Sequence, residues 1–102
     1  MVLLLKDKFI PEKWNRCSNE IKMEVAIKLL GKMAYFTNIV DETGMDSKEA
    51  HSAQNRLMDL GNIQSNGGEW IKFETSWKRV PTIINKNENE FLDKLIPELF
   101  VK

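Results

Sequence analysis

The sequence predicts an α+β fold that is mainly α, on three observations. Apolar residues recur at helical spacing in consecutive stretches between about residues 19 and 60. Gly44 and Gly61 end two of those stretches, and an Asn-Gly-Gly turn at 66–68 lies between two short alternating runs. At 102 residues the chain has room for one domain over 1–102 and one core. A composition of 42% hydrophobic and 29% charged residues suits a globular chain and not a disordered one. The division expected is an arm over 1–18, a core over 19–75 and a helical extension over 76–102.

The elements follow in order. Residues 2–5 read as a short strand or as an apolar arm packed on the core. Five apolar residues before Lys6 are too few for a signal-peptide core or a membrane span, and no cleavage pattern follows. The expectation is no membrane association and a cytoplasmic, intracellular chain. A single cysteine, Cys17, agrees with a reducing compartment. Phe9 to Trp14 reads as a turn into a short helix, with Pro11 in its first turn.

The first long helix is expected from about Asn19 to about Ala34, capped by Ser18 or Asn19, with Glu20 near its positive end. Ile21, Val25, Leu29 and Met33 form its stripe, widened by Ala26 and Leu30. Gly31 lies inside that pattern, costs about 1 kcal/mol relative to Ala, and favours an early end. A short helix follows from about Asn38 to Thr43 with Thr37 as N-cap, and Gly44 ends it by its left-handed conformation. The third helix begins at Asp46, where Asp46 and Glu49 have capping-box spacing. Ala50, Ala53, Leu57 and Leu60 form its apolar stripe, and Gly61 stops it.

Residues 62–65 and 69–74 read as two strands joined through Asn66, Gly67 and Gly68. Alternation puts Ile71 and Phe73 on one face and Trp70 and Lys72 on the other. Beyond them, Thr75 caps a short turn containing Trp77, and Pro81 breaks or restarts it. A last helix pairs Phe91, Leu92, Leu95, Ile96, Leu99 and Phe100 four apart, with Pro97 interrupting or kinking it.

Net charge is zero, so no global field draws the chain to nucleic acid or membrane. The charge is unevenly spread. Residues 1–32 hold seven Lys/Arg against four acids, net +3, while residues 33–60 hold two against five, net −3. Catalysis finds little support. His51 and Ser52 are adjacent on a helix and diverge by about 100°. Gly67-Gly68 lacks the Lys and Ser/Thr of a phosphate loop. With Cys17 and His51 as the only soft ligands, no metal site is expected. No cofactor or small-molecule substrate is indicated.

Helix, short helix, tight turn, helix and Gly-turned hairpin, in that order, resemble the winged helix-turn-helix superfamily. The residues that carry the resemblance are Thr37-Asn38-Ile39-Val40, Gly44-Met45-Asp46, the Ala50/Ala53/Leu57 stripe, Leu60-Gly61-Asn62-Ile63 and the hairpin through Ile71. It covers about residues 19 to 75. The resemblance implies a three-helix core with a two-stranded β-hairpin wing and a C-terminal helix. It also implies sequence-specific binding of double-stranded DNA by a small transcriptional regulator, with the third helix in the major groove.

A helical wheel places Lys48, His51, Ser52, Asn55 and Asp59 opposite the apolar stripe, with Glu49 and Arg56 at one flank. The candidate DNA-binding residues are Ser47, Lys48, His51, Ser52, Asn55 and Arg56 on the helix and Lys72 on the wing. Asn55 suits a bidentate pair with adenine, and Ser52 suits a base or a phosphate. Glu49, as capping-box partner, is expected to fold back on the Asp46 backbone N–H. A homodimer would double the few base contacts of one domain. Phe91, Leu92, Leu95, Ile96 and Leu99, or the Met1–Leu5 arm, could supply its contact or equally could only close the monomer core, with Trp70 a further candidate for an interface. The competing function is a protein-interaction module without DNA binding, which the zero net charge and the acidic middle segment favour.

Overall fold

The computed structural model describes residues 8–64, 70–73, 76–79 and 82–100, with 32, 64, 70–73, 76–79 and 82 described as backbone. Five α-helices dominate it: α1 (Pro11–Arg16), α2 (Asn19–Leu30), α3 (Phe36–Thr43), α4 (Ser47–Asp59) and α5 (Lys86–Leu99). Four short strands accompany them: β1 (Ile63–Gln64), β2 (Trp70–Phe73), β3 (Ser76–Arg79) and β4 (Thr82–Ile83). None of the described helices is long and apolar enough to cross a membrane.

The core is built around α2. Ser18 caps it, its Oγ accepting from the Ile21 N–H at 3.2 Å. Gly31, at φ 55°, ends it, and residues 31–33 tighten into a 3-10 turn. Five successive residues, Met23 to Ile27, are buried, because α2 packs against α3, α4, α5 and β4. The expected one-sided stripe is therefore corrected. Val25 and Ala26 are fully buried, but Met33 is 49% exposed, because the helical period stops at Gly31.

Glu24 breaks the apolar surround of α2. It is 2% exposed and its Oε2 has no hydrogen-bond partner. Its carboxyl pKa is pushed up to about 8, by burial first, then by a hydrogen bond with Glu88 and the charges of Glu88 and Glu20. At neutral pH it is mostly protonated, so one carboxyl can donate to the other. One turn on, Lys28 Nζ pairs with Asp93 at 2.7 Å and donates to Asn89 Oδ1 at 3.1 Å. Polar contacts thus join α2 to α5 around a buried acid.

The two ends of the described chain meet on one side of this core. Phe9 is buried, stacks on Trp14 with centroids 4.6 Å apart, and lies 5.1 Å from the Phe100 ring. The Ile10 N–H donates to the Leu99 carbonyl at 2.7 Å. The Met1–Leu5 arm lies outside the described residues.

The expected β-hairpin wing is overturned. Ile63 and Gln64 do not pair with Trp70–Phe73. β1 pairs instead with β4, Ile63 opposite Ile83, and the Ile84 N–H adds a bond to the Asn62 carbonyl at 2.9 Å. β2 pairs with β3, from Trp70 opposite Arg79 to Phe73 opposite Ser76. The segment read as a turn around Trp77 is thus a strand, and the described residues are mainly helical, with two separate two-stranded ladders among them. The physical reason lies in burial. Ile63 is 2% exposed, and Ile83, packed against the core, is the apolar partner that keeps it there. The Gly67-Gly68 turn lies outside the described residues.

Two further expectations change. Leu60 is 68% exposed, because it caps α4 from beyond the last helical residue, and Leu57 fills the core instead. α5 runs through Pro97 to Leu99. Pro97 is exposed and in the last turn, so its missing N–H leaves one carbonyl, that of Asp93, without its helical partner. Asn85 starts α5, its Oδ1 accepting from the Asn87 and Glu88 N–H groups at 2.9 and 3.3 Å.

Candidate nucleic-acid interface

α3, the Gly44–Asp46 turn and α4 form a helix–turn–helix pair. Gly44 takes φ 78°, a left-handed value a side chain would resist, and its N–H bonds the Val40 carbonyl at 3.0 Å. Thr43 Oγ1 donates to the Ile39 carbonyl at 2.6 Å and accepts from the Met45 N–H at 3.3 Å. Met45 itself is buried, so the turn is pinned on both sides.

Asp46 caps α4, its Oδ1 accepting from the Glu49 N–H at 2.7 Å. That bond holds the Asp46 carboxyl below the usual carboxylate range, so it stays ionised at neutral pH. Ala50, Ala53 and Leu57 are buried, and their small volumes near the start let α4 lie close to α2. The opposite face is left to solvent: Ser47, Lys48, His51, Ser52, Asn55 and Asp59 are all exposed. The His51 ring stacks on Phe36, the first residue of α3, with centroids 4.2 Å apart and planes at 26°.

The charged flank turns toward α2. Glu49 Oε2 accepts from Asn19 Nδ2 at 3.2 Å, so its carboxylate reaches the start of α2. The expected fold-back onto the Asp46 N–H gives way to this cross-helix contact. Arg56 Nε is paired with the Glu20 carboxylate, which compensates its charge. The exposed face keeps Lys48 as a cation and Asp59 as an anion, with ionised Asp46 at the helix start. Local charge is therefore close to balanced, and polar groups dominate what a partner would touch.

The other candidates scatter. The side chains of Trp70 and Lys72 lie outside the described residues. Of the apolar series on α5, Leu92, Ile96 and Leu99 belong to the core. Phe91 is 44% exposed and Leu95 half-buried, so these two alone reach the surface. Sequence reasoning missed the Phe36–His51 stack and the Asn19 and Glu20 contacts, which join residues 30 and 36 positions apart. No signal within α4 announces them. Among the described residues no group of three His, Cys, Asp or Glu could hold a metal ion. No family model matches this chain, and no curated protein or solved structure resembles it closely enough to count as a relative.

Proposed function

We propose that the chain binds double-stranded DNA through the exposed face of α4, as a small intracellular transcriptional regulator. One observation carries this reading. α4 follows a tight, pinned turn and presents Lys48, His51, Ser52 and Asn55 together, while the acid that would oppose phosphate, Glu49, is drawn back onto Asn19. An α-helix fits the major groove, where Asn pairs with adenine and Lys with guanine or phosphate. Ser47 and Ser52 add hydroxyls for phosphate, and Lys72 on β2 is a further cation for the backbone. Arg56 joins only when Glu20 releases it.

The test separates base reading from phosphate holding. Asn55→Ala is expected to relax sequence preference, whereas Lys48→Ala and Lys72→Ala weaken all duplexes alike and lower the salt slope by about 1 each. Fluorescence anisotropy over a panel of duplexes reads both. Unchanged specificity in Asn55→Ala removes Asn55 from the interface.

A protein-interaction role for the same face is favoured by its charge balance, with Arg56 compensated by Glu20 and Asp59 exposed. Binding that ignores salt and needs no nucleic acid would select it.

A further inference from the structure

The apolar series of α5 could supply a dimer contact or close the monomer core, and three of its five members, Leu92, Ile96 and Leu99, are buried in the core. What remains is a groove. Lys13, Arg16, Cys17 and Ile21 line one wall, and Phe91, Leu95, Glu98 and Leu99 the other, around a volume of about 270 Å³. We propose that this groove is where a second copy of the chain docks, Phe91 of each protomer entering the groove of the other.

Shape supplies the first reason. A two-fold interface needs knob and hole on one patch, since the same surface serves both subunits. Phe91 is the knob: 44% exposed, it is the largest apolar side chain on the open face of α5. The hole has an apolar lining of Cys17, Ile21, Leu95 and Leu99. A cavity of about 150 Å³ already takes a benzene ring, so this groove admits a phenyl group beside its own Phe91.

Charge supplies the second. The cations Lys13 and Arg16 stand on the α1 wall, and exposed Glu90 directly precedes Phe91. When Phe91 of one copy enters, its Glu90 is carried toward those cations. Lys94 and Glu98 are both exposed and one turn apart on α5, so antiparallel crossing of the two α5 helices sets Lys94 of each against Glu98 of the other. A lone apolar molecule would satisfy the hole and leave the knob exposed. A second copy covers both.

Sedimentation equilibrium of the full chain without DNA, from micromolar to millimolar concentration, tests this independently of DNA binding. The expected result is a monomer–dimer equilibrium. Phe91→Arg and Phe91→Ala should each weaken it by about 30-fold or more, as a truncated hot spot does, with unchanged circular dichroism because Phe91 is partly exposed. Lys94→Glu and Glu98→Lys should each weaken the dimer singly and recover it when combined. A monomer at every concentration overturns the proposal, as does a dimer that neither Phe91 variant disturbs.

Discussion

Raising the pH from 6 to 9 should destabilise this protein, and Glu24→Gln should abolish most of the effect. Glu24 lies in the middle of α2, 2% exposed, with one carboxyl oxygen unpartnered and the other side of its environment set by Glu88. Its pKa rises from 4.5 to about 8 on folding, chiefly through burial. The folded state therefore holds a proton that the unfolded chain releases. The associated stability is fully present below the unfolded value and is lost as pH climbs through the folded one.

Between the two values each pH unit removes on the order of 1 kcal/mol. For a domain of this size that is a fall of about 4–8 °C in Tm per unit. Gln keeps a donor and an acceptor for Glu88 but carries no charge, so the variant should have a nearly flat Tm over this range and melt above wild type at pH 8 to 9. Thermal melts followed by circular dichroism at fixed ionic strength give the comparison. Equal slopes for wild type and Glu24→Gln would refute a buried proton at this position.

Asp46→Ala removes the α4 cap and should cost about 1 kcal/mol, read by chemical denaturation at neutral pH. Leu60→Lys should change stability by less than about 0.5 kcal/mol, because Leu60 is exposed, whereas Leu57→Ala should cost about 2–5 kcal/mol. Comparable losses for the two would restore Leu60 to the core. Glu20→Gln frees Arg56 from its ion pair and should tighten duplex binding by a few-fold, steepening its salt dependence, in anisotropy titrations.

Local chemistry made the helices legible. Ser18 and Asp46 accept the N–H bonds expected of N-caps, and Gly31 and Gly44 take the positive φ that ends a helix. Burial at the ends of those helices was less legible. Met33 and Leu60 continue an apolar period in sequence but sit beyond the helices that would have buried them. The pairing of the strands was not legible, for a different reason. A Gly-Gly signal is local, whereas Ile63 pairs with Ile83 because both lie against the core, a choice made by residues distant in the chain.

The open face of α4 was readable because Ala50, Ala53 and Leu57 define its opposite. The partners that draw Glu49 and Arg56 aside belong to α2, and no period within α4 reports them. The α5 stripe left two roles open, a contact surface or closure of the core. Its spacing marks a helix, but the packing of α2 and α1 decides that Leu92, Ile96 and Leu99 face inward while Phe91 does not.

The measurement that bears most directly on function is the salt dependence of duplex binding by the wild-type chain. A labelled duplex from the gene's own upstream region, titrated by fluorescence anisotropy, should bind more tightly as salt falls from about 200 to about 50 mM. With Lys48 and Lys72 as the phosphate contacts, the slope of log K against log salt should be about −2. No binding at about 50 mM salt, or binding that salt leaves unchanged, would contradict the assignment of α4 to DNA.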